Sequence, residues 1–538
     1  MIETASISTH KPTTVNKIGG ANMSQLDVVK QLVDTLESRN ENMVLVVSAF
    51  EGVTDLLTKA MDRISGTDYS EEDIDTAFLP VQAKHDEMIA KFFPGERAAE
   101  VKAKYETDFG TLIQSLMTHK QVSNVLKPKE GSFEIRDQVI GFGEHMSAAF
   151  LNIYLEQEGK LSRHFENVTA DKKILEQGPI TPERLHEAKK KGITEALRTE
   201  TRQNVIRILE GHMTGTPKGL IPHQGRGYSD IMAVDTALAV KDMGEDLTET
   251  RFWKDVDGYY TANPKNLKVK EGKKEGKHKP KLHRDISYYE ALENASAGSG
   301  LINVGALALA AKHELDLHIR NIQKFDPDFG TNITKGETVG KRLFKTIVSN
   351  PRIDAITITL SQMADQDGFA AAISAKFAEY ELSIDQIGTD GTSMTFTTVL
   401  PKDAADQEEC REKIRRIQSE LEMINISGEI YKIENFLWDK EKATVSLTGS
   451  ELMNNPDARD VRGFTDLMLT SSGIDVHMIS HSRARRRYSY LIDSNKWKKA
   501  ERLLHSYYVD NDPKVISKVE KRMKKRAKRM HGTFNQAA

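Results

Sequence analysis

The stretch Met43-Val44-Leu45-Val46-Val47-Ser48-Ala49 decides the fold class. It opens on an unbroken apolar run, rich in valine, with no polar alternation. A strand of that kind is covered on both faces, as in a parallel sheet packed between helices. Just before it, Leu26–Glu37 carries apolar residues at helical spacing. Outward from this pair, short strand-like runs alternate with helical stretches through the first half of the chain. That alternation predicts an α/β sandwich around a parallel sheet. Residues from about 57 to 140 are charged and mostly helical in pattern, and read as an all-helical lobe.

The second half repeats itself. Ile356, Ile358 and Leu360 alternate with threonines, Phe369, Ile373, Phe377 and Tyr380 share a helix face, and Leu382–Ile387 and Met394–Val399 read as strands. The pattern returns with Val445 and Leu447, then with the helix face of Phe464, Leu467 and Met468. Ile474, Val476 and Met478 alternate next, then Tyr488, Tyr490 and Ile492, before a last helix lined by Trp497, Ala500 and Leu504. Two tandem βαββαβ units are predicted. Sheets this small bury one face on helices and leave edges that pair with a neighbour.

Composition narrows the class. With 538 residues the chain has room for about three or four domains. Hydrophobic residues make up 38% and charged residues 29%, which suits a globular protein with a real core. The formal net charge of -3 gives no global bias toward nucleic acid or an acidic membrane. No run approaches the roughly 18 apolar residues of a membrane span, and the polar first residues lack a secretory apolar core. One cysteine, Cys410, excludes an internal disulfide framework and a cysteine-based zinc site, and fits a reducing cytoplasmic setting. Asn266–Lys281 is a lysine- and glycine-rich insert that reads as a solvated loop. The basic stretch Lys514–Met530 reads as a frayed, solvated helix without the aromatic interleaving of a nucleic-acid binder.

Four segments carry residues suited to chemistry. Lys17-Ile18-Gly19-Gly20-Ala21-Asn22 places a cation before two glycines, so that backbone and charge can approach a phosphate; a plain turn is the alternative. It is not a P-loop, because GxxxxGK(S/T) occurs nowhere. Gly143-Glu144-His145-Met146-Ser147 reads as the head of a helix, with Glu144 either favouring the helix dipole or binding a substrate ammonium. Gly225-Arg226-Gly227-Tyr228-Ser229-Asp230 precedes a helical run; Arg226 suits a carboxylate or phosphate, and Ser229 or Asp230 equally suits a helix cap. Trp253–Lys265 runs from a strand end into a turn, with tyrosines to stack on a base and lysines to meet phosphates, or simply surface charges. His283-Arg284-Asp285 and Asp328-Phe329-Gly330 spell protein-kinase triplets, but the rest of that signature set is missing. His477 and His481 lie at a strand end with no H-E-x-x-H, so no metal site is expected.

Taken in order, these segments resemble the aspartate kinases of the amino-acid kinase superfamily, from about Val15 to the end of the second repeat. Lys17–Met23 resembles the family's K-F-G-G-T-S-V, Ser48–Leu57 its S-A-x-x-G-x-T-N-L-L, and Gly143–Ser147 its G-E-x-x-S. Gly225–Asp230 resembles G-R-G-G-S-D, and Trp253–Lys265 resembles W-x-D-V-x-G-x-Y-T-x-D-P-R. The two repeats resemble ACT domains, which bind amino-acid effectors. The resemblance implies an α/β fold: an amino-acid-kinase-type αβα sandwich followed by two βαββαβ (ferredoxin-like) ACT domains. On this reading residues 1–13 are a flexible extension, 14–340 the kinase domain, 350–435 and 440–511 the ACT domains, and 512–538 a basic tail.

The implied activity is transfer of the ATP γ-phosphoryl group to the side-chain carboxylate of L-aspartate. The product, 4-phospho-L-aspartate, starts lysine, threonine and methionine or ectoine biosynthesis. By resemblance, Lys17, Gly19 and Gly20 meet the ATP phosphates, with Lys17, Arg226 and Asp230 catalytic. Ser48, Thr54, Glu144 and Arg226 hold aspartate; Lys254, Asp255, Tyr260, Lys265 and Lys281 line the nucleotide pocket. Mg²⁺ is carried by ATP and bridges phosphate oxygens, so no dedicated metal ligands are expected in the chain. Gly368, Phe369 and Asp385 match the ACT pattern as effector residues, and a homodimer or higher homo-oligomer through the ACT edges is implied.

The chain departs from the family pattern at defined places. Ala21-Asn22 replaces Thr-Ser, removing two hydroxyls, and Tyr228 stands where most members have glycine, a feature it shares with kinases of ectoine-linked gene clusters. Gly298–Val304 replaces G-A-K-V-L-H-P, and Thr389-Asp390-Gly391 replaces T-S-E. These losses define the alternative reading, a catalytically weak, amino-acid-sensing regulatory paralogue.

Overall fold

The computed structural model describes residues 11–64, 69–125, 132–214, 227–267, 279–336, 344–361, 368–401, 404–426, 428–449, 458–481 and 487–537. The chain divides into two compact units. The first comprises Met1–Tyr259, His283–Tyr288 and Leu301–Gly336; the second comprises Tyr260–Leu282, Tyr289–Gly300 and Glu337–Ala538.

The first unit is built on an eight-stranded sheet in the order β3-β4-β2-β1-β5-β7-β8-β6. Its strands are β1 (Thr13–Ile18), β2 (Asn42–Val47), β3 (Ser162–Phe165), β4 (Ile206–Glu210), β5 (Leu247–Lys254), β6 (Asp285–Ser287), β7 (Leu317–Asn321) and β8 (Gly330–Thr334). Pairings from β3 across to β7 are parallel, and β8 runs antiparallel to β7. The valine run that announced a doubly covered strand is β2, with Met43 through Val47 buried. Between β1 and β2 lie α1 (Gly20–Met23) and α2 (Leu26–Ser38). In α2, Leu26, Val29, Leu32, Val33 and Leu36 form one wholly buried stripe. Each such side chain contributes about 1.5–3 kcal/mol on burial.

The helical lobe consists of α3 (Val53–Arg63), α4 (Glu71–Phe92), α5 (Glu96–Val125) and α6 (Ser132–Gln157). Ser70 starts α4 with a reciprocal cap: its Oγ accepts from the Asp73 backbone N–H, and Asp73 accepts from the Ser70 N–H. That satisfies two donors which a helix start leaves unpaired. The core of this unit runs continuously from α2 and β2 into the lobe, through Phe50, Phe78, Phe93, Tyr105 and Phe150. The remaining helices used below are α7 (Pro182–Leu197), α8 (Tyr228–Asp242) and α9 (Val304–Lys312).

β1 has a sequence that hides its position. Thr13, Thr14, Asn16 and Lys17 are all buried in this central strand, and each has a specific partner. Thr13 donates to Glu245, Thr14 to Glu41, Asn16 accepts from the Trp253 indole N–H, and Lys17 meets Asp230. Buried polar groups are tolerated when paired in this way. The protein-kinase look-alike triplets are structural: the Arg284 guanidinium stacks on Phe329 at 4.7 Å and donates to the Asp328 carbonyl.

The second unit holds a six-stranded antiparallel sheet in the order β10-β11-β9-β14-β16-β15. The first repeat contributes β9 (Thr346–Thr359), α10 (Phe369–Glu379), β10 (Ile384–Thr389), β11 (Ser393–Val399) and α11 (Ala404–Glu420). A hairpin of β12 (Met423–Ile426) and β13 (Glu429–Lys432) follows. The second repeat contributes β14 (Asn435–Thr448), α12 (Ala458–Ser471), β15 (Val476–His481), β16 (Arg487–Asp493) and α13 (Trp497–Leu504). β9 and β14 pair with each other, so both repeats share one sheet. The sheet curls: a Cβ on Gly388 of β10 would lie 2.8 Å from the Met478 sulfur of β15. The basic tail is not simply solvated. Pro513–Ala537 forms α14, which seats Val515, Val519 and Met523 on the core of the second repeat and turns its lysines outward. No helix among the described residues is long and apolar enough to cross a membrane.

Candidate active site

The C-terminal ends of β1, β2, β4 and β5 lie along one edge of the first unit's sheet. From β1 the chain goes first to β2 on one side and later to β5 on the other. Such a reversal opens a crevice at the strand ends, where open α/β sheets bind ligands. Three ionised side chains meet there. Lys17, next to last in β1, places Nζ 2.9 Å from Asp230 Oδ1, and Lys254, the last residue of β5, places its Nζ 3.6 Å from the same oxygen. Asp230 lies in the first turn of α8, and its Oδ2 accepts from the Asn303 backbone N–H at 3.0 Å. Burial by itself would raise the Asp230 carboxyl, but the two lysines and the backbone donor outweigh it and hold it at about 2. Burial lowers the Lys254 ammonium to about 8, with Lys17 repelling it and Asp230 partly restoring it. Two cations thus share one carboxylate, leaving a local excess of positive charge suited to a polyanion.

A buried carboxylate stands at the same edge. Glu144 does not head a helix as its sequence context predicts: it lies in the middle of α6, so capping does not explain it. It is only 2% exposed. Its Oε1 accepts from the Tyr228 hydroxyl at 3.2 Å, and its Oε2 is buried with no hydrogen-bond partner among the described residues. Burial raises this carboxyl to about 7, an effect the Tyr228 donor only partly offsets. Tyr228 is pushed well above its ordinary range by burial and by the Glu144 charge, and it also bonds Thr54 at the start of α3. The His212 ring meets Tyr228 edge-on at 4.6 Å, and burial lowers it to about 4, so it is neutral at pH 7.

Glycines allow this crowding. A Cβ on Gly20 would lie 2.6 Å from the Ala49 carbonyl oxygen, and one on Gly143 would lie 2.8 Å from the Ala49 Cβ. The turn after β2 is thus gripped between α1 and α6, and the Ser147 hydroxyl ties α6 to the Ser48 carbonyl at 2.8 Å. Ser48, Thr54, Glu144, Lys17, Gly19, Gly20, Asp230, Lys254 and Asp255 all belong to the first unit; Asp255 is exposed at the end of β5. Tyr260, Lys265 and Lys281 belong to the second unit. There Tyr260 bridges to Leu282, and the Lys281 backbone is paired with Thr261. Arg226 lies outside the described residues. Of the effector residues, Gly368 precedes α10 with φ +100, Phe369 is buried against Tyr431, and burial raises the Asp385 carboxyl on β10 despite the charge of Arg487.

Sequence reading passed over several residues. Asn22 was noted only as a lost hydroxyl, yet it is buried and donates to the Trp253 carbonyl at 3.1 Å, joining α1 to the end of β5. Ala21 is exposed. Asn303 caps α9 through its side chain while its N–H holds Asp230; an Asn before the apolar run Val304–Ala311 was the available signal. His145, His164 and Glu210, far apart in sequence, converge on one point.

Known proteins agree with this architecture. The model of the amino acid kinase family matches residues 12–321, and the chain belongs to that family. Its similar relatives are aspartokinases. One is the chloroplastic aspartokinase 2 of Arabidopsis thaliana, 24% identical over 93% of this chain and 85% of its own length. The Saccharomyces cerevisiae aspartokinase is 23% identical over 93% of both chains, and that of Helicobacter pylori 28% over 69% of this chain and 83% of its own. Among solved structures, E. coli aspartokinase III in complex with lysine and aspartate aligns with a TM-score of 0.64 at 16% identity, covering 92% of this chain and 99% of that one. Clostridium acetobutylicum aspartate kinase gives 0.59 at 15% identity.

Proposed function

We propose that this chain is an ATP-dependent aspartate kinase. The observation that carries the reading is the convergence of Lys17 and Lys254 on buried Asp230 at the end of the central strand. Phosphoryl transfer asks a protein mainly for positioning and for neutralisation of phosphate charge. A side-chain carboxylate oxygen of aspartate attacks the γ-phosphorus, the bond to the β–γ bridging oxygen breaks, and ADP leaves with that electron pair. No proton need be removed, so a strong general base is unnecessary.

The chain's own groups divide the work. Lys17 and Lys254 face the triphosphate, and Asp230 keeps both ammonium groups together until the nucleotide arrives. The buried Glu144 carboxylate receives the substrate α-ammonium; its Oε2, buried without a hydrogen-bond partner among the described residues, supports that role. Ser48 and Thr54 complete the aspartate site, and the family resemblance assigns Arg226, outside the described residues, to a substrate carboxylate. Mg²⁺ enters with ATP and supplies charge neutralisation at the phosphate oxygens. The reading extends to an amino-acid effector bound by the second unit, a homo-oligomer and a cytoplasmic location; the lone Cys410 suits a reducing compartment. Asn22 is committed to the Trp253 carbonyl and Ala21 points to solvent, so neither departure dismantles the Lys17–Asp230–Lys254 cluster.

Full-length protein with ATP, Mg²⁺ and L-aspartate is expected to form an acyl phosphate that hydroxylamine traps. No trapped hydroxamate across a range of amino-acid effectors would overturn the assignment.

A further inference from the structure

A second cluster stands beside the proposed substrate carboxylate and takes no part in the scheme above. His145 on α6, His164 on β3 and Glu210 at the end of β4 direct one ligand atom each to a common point, all within 4.8 Å of one another. His145 Nδ1 lies 2.8 Å from Glu210 Oε1, and His164 Nε2 lies 2.9 Å from the same oxygen. The three side chains are only 13%, 4% and 10% exposed.

We propose that His145, His164 and Glu210 form a binding site for a divalent transition cation, with Zn(II) as its expected occupant. Two imidazoles and one carboxylate are a known zinc ligand set, with a fourth position left for water. Zinc–ligand bonds of about 2.0–2.1 Å set tetrahedral ligand atoms roughly 3.3 Å apart, so the two histidine–Glu210 contacts would open by about half an ångström to admit the cation. The outer shell is of the right kind. A metal-bound histidine usually passes its other ring N–H to a carboxylate. His145 Nε2 meets Asp108 Oδ2 in this way at 3.2 Å, while His164 Nδ1 is buried without a hydrogen-bond partner among the described residues, with the Glu166 carboxylate 3.8 Å away.

Charge points the same way. Glu210, Asp108 and Glu166 are met by a single lysine among the described residues, Lys104, which contacts the latter two. The cluster is then two positive charges short, and one divalent cation supplies both. The inference does not depend on the kinase assignment.

The test uses the full-length chain, stripped with EDTA, dialysed and titrated with Co(II). One Co(II) per chain is expected, with visible ligand-field bands that one equivalent of Zn(II) abolishes. His164→Asn should remove the bands, Asp108→Asn should weaken affinity about tenfold, and His477→Asn on the second unit should leave both unchanged. X-ray absorption of the zinc-loaded wild type, which needs no variant, should show two imidazole nitrogens and oxygen. No stoichiometric binding, bands that survive in His164→Asn and Glu210→Gln, or an all-oxygen shell would each overturn the site.

Discussion

Glu144→Gln should make the enzyme more stable and far less active. The carboxyl is raised from 4.5 to about 7 chiefly by burial, which the Tyr228 hydroxyl and backbone donors at Glu144 and Ala49 only partly offset. At 1.36 kcal/mol per unit, holding it ionised inside the fold costs about 3 kcal/mol relative to the unfolded chain. The sign follows from proton binding. Between pH 4.5 and about 7 the native state binds more protons at this group than the unfolded state, so its stability contribution is complete below 4.5 and lost as pH rises through 7. Glutamine carries no charge and escapes this loss. Urea midpoints should therefore differ little near pH 4.5, and the variant's advantage should grow toward pH 7 and level off near 3 kcal/mol. The same change removes the anion proposed to hold the substrate ammonium. A hydrogen bond to a charged group contributes about 1.5–3 kcal/mol, so kcat/KM for aspartate should fall about 10- to 100-fold in the hydroxamate assay. A variant less stable than wild type at pH 8, or equally active, would refute the claim that this carboxylate is kept ionised for binding.

Three other outcomes are expected. Tyr228→Phe removes the only side-chain donor described on Glu144, so the rise of kcat/KM for aspartate with pH, centred near 7 in the wild type, should move upward by about one unit. kcat/KM for ATP should fall as pH rises through about 8, where Lys254 loses its proton; Asp230→Asn removes an attraction across 3.6 Å worth about 5 kcal/mol at an effective dielectric near 20, and should shift that fall at least one unit lower. Gly20→Ala places a methyl 2.6 Å from the Ala49 carbonyl oxygen, so it should cost about 1–3 kcal/mol in thermal unfolding and sharply raise KM for ATP, while Gly19→Ala, with 3.8 Å to its nearest neighbour, should be mild in thermal unfolding.

Much of the architecture is readable because it rests on periodicity. The valines of β2, the single buried stripe of α2 and the paired repeats of the second unit are local patterns, and burial simply completes them. β1 escaped that logic. Four of its six residues are polar, and they read as interior only once Glu41, Glu245, Trp253 and Asp230 arrive from distant segments. Glu144 is placed differently for a related reason: Gly143 before it reads as a helix start, whereas here that glycine lets an unbroken helix pass close to the turn after β2.

Sequence by itself determined which segments bear charge and glycine, and in what order: Lys17, Glu144, Asp230 and Lys254 all carry side chains whose type already limits their chemistry. Tertiary structure decided what those groups are to one another. Asp230 is a strong anion because Lys17, Lys254 and the Asn303 N–H outweigh its burial, and Lys254 is a weakened cation because burial outweighs the pull of Asp230. Tyr228, which stands where most members have glycine, is a donor to Glu144, and Asn22 is a strut rather than a missing hydroxyl. Three residues between 145 and 210 meet at one point that no spacing rule foretells. The physical reason is common to all of these. Charge–charge and hydrogen-bond energies depend on distance and desolvation, and the fold sets both.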